Sequence, residues 1–228
     1  KTVGRAVRES SIPREEIFIT SKVWNTDQGY ESTLSAFDAS LNRLETDYLD
    51  LYLIHWPIPA GYEKDYRDLN RETWKAMERL YKEGQARAIG VSNFLPRHLE
   101  ALMEQADTIP MVNQLEINPR YHQTEAVAFC REHGILVESW GPLARGGVLE
   151  EPVLRRIADK HKKSVAQICL RWELQRGIVP LPKSVHADRI KANLDVFGFS
   201  LDGEDMALID TLDAPGHYSI HPDHLSEE

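Results

Sequence analysis

The chain has 228 residues, 42% hydrophobic and 28% charged, a globular composition long enough to bury one core, and residues 1–228 are expected to form a single domain. A net charge of -9 argues against a general nucleic-acid or anionic-membrane binder, because such surfaces select clustered positive charge. No apolar run approaches the ~20 residues of a membrane span and KTVGRAVRES lacks a signal-peptide core, so a soluble cytoplasmic protein, expected to be a monomer, is predicted.

In chain order, the first residues have helical spacing, with Val3, Ala6 and Val7 on one side. Residues 17–22 predict a first strand. Tyr30, Leu34, Phe37, Leu41 and Leu44 step by four and three, which predicts a helix with all five on one face. A second strand is predicted over 48–55, then a helix carrying Trp74, Met77 and Tyr81, and a strand over 88–92. Leu99, Leu102 and Met103 mark the next helix, before a strand over 111–116. Val127 and Cys130 belong to a helix stopped by Gly134; a strand over 136–140 follows. Val165, Ile168, Cys169 and Trp172 form a stripe that Ser164 caps and Gly177 ends, before a last strand over 179–183. Cys130 and Cys169 beside apolar residues read as buried thiols, with no disulfide or metal expected. HKK at 161–163 reads as a solvated helix end.

Regular strand–helix alternation without a GxGxxG turn predicts an α/β fold, a (β/α)8 TIM barrel rather than a doubly wound sheet. Six strands are visible, so about two N-terminal strands and a helix are expected to be missing from a barrel of roughly 250 residues.

Barrel chemistry gathers at the carboxyl ends of strands. Those positions hold Lys22 with Trp24, His55 with Trp56, Ser92 with Asn93, Gln114 with Glu116, Trp140 with Gly141, and Lys183 with Ser184. Each has a plainer reading: Lys22 as a solvated cation, His55 as a satisfied strand-end histidine, Ser92 and Asn93 as turn residues, Trp140 as a barrel plug. Gln114, a polar group in an apolar strand, needs a partner. Lys183, Ser184 and Arg189, where a helix begins near Ala187, have the make-up of a phosphate site.

ITSKVW, LDLYLIHWP, GVSNF, VNQLEINP, ESWGPLARGG and PKSVHADRIKANLDVF occur in the order found in aldo-keto reductases. The chain resembles that family, and within it the bacterial members grouped with 2,5-diketo-D-gluconate reductase, through Trp140–Gly141 and the HPD at 221–223. The resemblance implies NADPH-dependent reduction of an aldehyde or ketone, hydride passing to carbon and a tyrosine proton to oxygen. Lys22 and His55 match the family's catalytic lysine and histidine. The motif supplying its aspartate and tyrosine has no counterpart in these residues, and Tyr48 and Tyr52, within a strand, and Tyr62 and Tyr66, within a loop, do not replace it by position. Ser92, Asn93 and Gln114 then match the nicotinamide-carboxamide site, and Trp140 the stacking residue. Gly141 and Leu143 match the pyrophosphate path, Lys183, Ser184 and Arg189 the 2′-phosphate pocket, and Val185 and Asn193 the adenine site. Ala192 stands where many relatives carry glutamate. Trp24 and Trp56 are expected to wall the substrate pocket, with the 57–70 loop and the tail from Pro215 at its mouth. Two alternatives compete: an NADP(H)-binding but catalytically silent barrel, and a phosphate-binding lyase or isomerase, for which Glu116 and Glu138 are the only strand-end carboxyls available.

Overall fold

The computed structural model describes residues 1–214 and 219–223, in two compact units. The first comprises residues 1–113, 133–135 and 220–223. Its strands β1 (Thr20–Val23), β2 (Leu51–Ile54) and β3 (Ile89–Ser92) run parallel in that order, with Lys22 opposite Leu53 and Tyr52 opposite Ile89. The strand β4 (Val112–Glu116) begins here, where the Met111 N–H donates to the Ile89 carbonyl at 3.0 Å.

β2 is buried on both faces, the reason its sequence is continuously apolar rather than alternating. On one face Leu51 and Leu53 pack with Val112; on the other Tyr52 meets Phe37 edge-on, ring centroids 4.9 Å apart. Gly90 permits the neighbouring strands to close up, since a Cβ there would lie 2.4 Å from the Val112 carbonyl oxygen.

The helices of this unit are α1 (Thr2–Glu9), α2 (Tyr30–Leu44), α3 (Tyr66–Lys82) and α4 (Pro96–Met103). In two of these helices the buried line is not the apolar stripe. α1 packs through Gly4 against the Leu44 backbone, while Val3 and Ala6 are exposed. α2 buries Thr33, Phe37 and Ser40, leaving Tyr30, Leu34, Leu41 and Leu44 only partly covered. The small hydroxyl residues allow close approach and satisfy their own oxygens, Thr33 Oγ1 donating to the Asp27 carbonyl at 3.2 Å and Ser40 Oγ to Ala36 at 2.9 Å. In α3, Trp74 and Met77 are buried as expected but Tyr81 is exposed, and Tyr66 opens this helix instead of lying in a loop.

The second unit holds residues 114–132, 136–214 and 219, with β4 finishing beside β5 (Leu136–Trp140) and then β6 (Val179–Pro180). Its helices are α5 (Thr124–Glu132), α6 (Pro152–His161), α7 (Val165–Gln175), α8 (Ala187–Leu194) and α9 (Gly203–Asp210). Ser164 caps α7 as expected, its Oγ accepting the Gln167 N–H at 3.2 Å. Gly134 and Gly177, at φ 70° and 68°, end α5 and α7. β6 stops at Pro180, short of Lys183, because Pro180 and Pro182 carry no N–H; between them the Leu181 N–H still donates to the Ser139 carbonyl at 2.9 Å. HKK is not merely solvated: Lys163 pairs with Asp195 at 2.7 Å and His161 with Asp205 at 2.6 Å. Cys130 and Cys169 are buried, and neither is in a disulfide. No helix among the described residues is long and apolar enough to cross a membrane.

Candidate active site

In the first unit, parallel pairing sets Lys22 beside Leu53, and strand alternation returns His55 to the same side two residues later. The His55 N–H donates to the Val23 carbonyl at 3.3 Å. Its ring lies 4.9 Å from that of Trp24 and 6.0 Å from that of Trp56. Trp24 is 50% exposed whereas Trp56 is 7% exposed, with its carbonyl held by Gln28 Nε2 at 2.9 Å, so Trp24 is the indole that faces solvent.

Burial, and then the Lys22 charge, hold the His55 imidazole down at about 4. His55 is therefore neutral at physiological pH, able to donate one ring N–H to an oxygen without competing for its proton. The acid limb of a kcat/KM–pH profile is accordingly expected below pH 5; an inflection at 6.5 that vanishes in His55→Gln would refute a neutral His55.

Ser92 closes β3, and Asn93 turns the chain at φ 65°, a left-handed conformation that asparagine tolerates better than most side chains. Asn93 Nδ2 donates to the His55 carbonyl at 3.0 Å and to Ser92 Oγ at 3.1 Å, tying the ends of β2 and β3 together. Nearby, Asp223 pairs with Arg97 and lies 3.1 Å from Nε2 of buried His98, whose Nδ1 accepts the Leu95 N–H at 3.1 Å.

In the second unit, Gln114 Nε2 donates to Glu138 Oε2 at 2.8 Å. Glu116 accepts the Ser219 N–H at 2.8 Å and the Ser219 hydroxyl. Trp140 is half-buried, and from Gly141 the chain enters a tight loop in which Ala144 and Arg145 take φ 46° and 54°. Such residues cost about 1–2 kcal/mol each in that region and persist where the surroundings impose it. Leu143 begins this loop, half-buried. Ser184 Oγ accepts the His186 N–H at 3.1 Å, just before α8. Lys183, Val185 and Arg189 are exposed around the amino-terminal half of α8, and Asn193, near its carboxyl end, is half-buried; α8 buries no side chain. This donor set of ammonium, hydroxyl and guanidinium groups suits an anionic ligand.

Reasoning from sequence missed the partners: Glu138 for Gln114, Ser219 for Glu116, and Asp223 for Arg97. A glutamate inside the apolar run LVESW was the one available signal, since a buried carboxyl requires a donor. The mouth residues 215–218 lie outside the described residues.

Residues 1–214 match the model of the Aldo/keto reductase family. The chain is an aldo-keto reductase. The glyoxal reductase of Bacillus subtilis (strain 168) is 54% identical over 98% of this aldo-keto reductase and 78% of its own length. MGS-M4, an aldo-keto reductase from a Medee basin deep-sea metagenome library, superimposes with a TM-score of 0.92 at 45% identity, over 99% of this chain and 81% of its own. A Gox0644 variant in complex with NADPH gives 0.90 at 42% identity, over 99% and 80%. The fold is thus the family's α/β TIM-barrel fold, here with six strands among the described residues, and the aldo-keto reductase is an NADP-dependent oxidoreductase of carbonyl groups.

Proposed function

We propose that this aldo-keto reductase reduces small aldehydes, ketoses and diketones to alcohols, working in the cytoplasm as a monomer with residues 1–228 acting as one domain. The observation that carries the reading is the neutral His55 on the side of β2 that Lys22 shares, next to the half-exposed face of Trp24. NADPH, when bound, would supply the hydride chemistry. His55 donates a hydrogen bond that orients the carbonyl oxygen, Lys22 provides positive charge beside it, and Trp24 and Trp56 shape the wall; the proton that balances the hydride would come from the family's tyrosine, which has no counterpart among these residues.

Ser92, Asn93 and Gln114 would hold the carboxamide in this reading, and Trp140 would stack on the nicotinamide. Gly141 and Leu143 would line the pyrophosphate path, and Lys183, Ser184 and Arg189 would hold the 2′-phosphate, with Val185 and Asn193 near the adenine. Tyr48 and Tyr52 offer no substitute proton donor. Tyr52 is wholly buried and its hydroxyl is pushed above its ordinary range by burial, while Tyr48 is stacked between Arg14 and Arg87, 4.0 and 3.9 Å from its ring. The lyase or isomerase alternative needs an open carboxyl, and Glu116 and Glu138 are both buried and engaged.

The test is NADPH oxidation with glyoxal, small ketoses and diketones, alongside an NADPH fluorescence titration of the same protein. Turnover supports the reductase reading; tight binding without turnover on any of them would favour the silent barrel. Arg189→Ala is expected to weaken NADPH by at least about tenfold and NADH by less than about twofold, because a guanidinium–phosphate contact exists only with the former. Equal losses would remove Arg189 from the 2′-phosphate site.

A further inference from the structure

We propose that Gln28 and Asn70 are positioning residues for the reduction: two buried side-chain amides that, together with Asn93, hold the successive carbonyls of His55, Trp56 and Pro57 and so fix where the imidazole stands. The proposal rests on the reading of His55 as the group that orients the substrate carbonyl.

The pairing of β2 ends at Ile54, opposite Val23 on one side and Val91 on the other, so the carbonyls that follow lie beyond the ladder. Trp56 and Pro57 are nonetheless buried, and buried carbonyls need donors. Each of the three receives one from a different part of this unit. Asn93 Nδ2, after β3, donates to the His55 carbonyl at 3.0 Å; Gln28 Nε2, after β1, donates to Trp56 at 2.9 Å; and Asn70 Nδ2, on α3, donates to Pro57 at 2.9 Å. Gln28 and Asn70 are 7% and 3% exposed, and their amide oxygens are buried with no hydrogen-bond partner among the described residues. It is therefore the donating edge that these side chains are placed to use. Both are braced in turn: Thr73 Oγ1 accepts the Gly29 N–H at 2.7 Å and donates to the Leu69 carbonyl at 2.8 Å, tying the residue after Gln28 to the residue before Asn70. At its other end His55 is pinned by its own N–H, which donates to the Val23 carbonyl at 3.3 Å. All three amide donors are uncharged, so they fix the backbone without adding a second positive charge to that of Lys22. Precise placement matters here, since a displacement on the order of 1 Å can lower a rate by about 10²-fold.

Gln28→Met and Asn70→Leu keep the approximate shape and remove the donor. Each is expected to lower kcat for a small aldehyde by about tenfold while the NADPH dissociation constant moves by less than about twofold, because neither side chain belongs to the cofactor seat. The deciding readout is a double-mutant cycle: in a His55→Gln background the same exchanges are expected to change kcat by less than about twofold, since the group they position is gone. A further readout needs no turnover. Followed by NMR without cofactor, the His55 imidazole is expected to titrate above about 4 in either variant, as the loosened ring gains water while Lys22 stays in place. Unchanged kcat in both variants, or a loss just as large in the His55→Gln background, overturns the proposal; if one variant fails to fold, the other decides. Absence of turnover in the unaltered protein would instead bring down the reductase reading, and an unchanged His55 titration in the variants would then overturn the positioning role as well.

Discussion

Lys22→Met is expected to lower kcat for NADPH-dependent reduction of a small aldehyde by about 10²–10⁴-fold, the range of a lost acid–base contribution, while the NADPH dissociation constant moves by less than about threefold. Methionine keeps the unbranched stem, so the apolar contacts of the strand end persist and only the charge is removed. A second readout does not depend on turnover. Lys22 is one of the two causes that hold His55 down at about 4, so the imidazole, followed by NMR, is expected to titrate at a higher pH in Lys22→Met. Normal turnover in the variant would remove Lys22 from catalysis. An unchanged His55 titration would mean that its charge does not reach the imidazole.

The second large effect concerns stability. Glu173 on α7 has 0% exposure, and burial pushes its carboxyl up to about 8 from an ordinary 4.5, against the lowering influences of Ser139 and Arg176. The folded chain therefore keeps the proton up to about pH 8, whereas the unfolded chain releases it near 4.5. Between those values the folded state binds more protons, so stability falls as pH rises through the window and the loss is complete above it. At ~1.4 kcal/mol per pH unit the cost reaches about 5 kcal/mol at most. Glu173→Gln keeps the shape and removes the cost. Urea unfolding at pH 4, 7 and 9 is expected to show the variant near parity with the parent at pH 4 and progressively more stable above it. A stability difference that does not change with pH would mean that Glu173 is already solvated in the folded state.

Glu173 also shows what can be read without coordinates. In LRWELQ it looks like an ordinary charged position on a helix whose apolar stripe is Ile168, Cys169 and Trp172, yet it is as buried as they are. The same holds for α2, where spacing nominated five large residues and the buried line is Thr33, Phe37 and Ser40. Hydrophobic period locates a helix well, but its rotation against the sheet depends on which small residues let the backbones approach. β6 failed differently: the run 179–183 is apolar enough for a strand, but two prolines remove the donors a ladder needs.

Among the candidate residues, identity and strand-end position were legible because both are local properties. Lys22, His55, Ser92, Asn93, Gln114 and Trp140 each terminate or follow an apolar run, and parallel alternation then dictates their side. Their electrical and hydrogen-bonding states were not legible. That His55 is neutral follows from its burial beside Lys22, and that Asn93 braces the His55 carbonyl follows from a contact across 38 residues of chain.

From the amino acids alone came the order of strands and helices, the Ser164 cap, the glycine stops and the family motifs, all set by a few neighbouring residues whose propensities need no distant partner. The pairing of Gln114 with Glu138, of Glu116 with Ser219 and of Asp223 with Arg97 came from folding, across separations of 24, 103 and 126 residues. Hydrogen bonds and desolvation act over a few ångströms, so which polar groups share a buried site is fixed by how the strands and helices pack, not by their spacing along the chain.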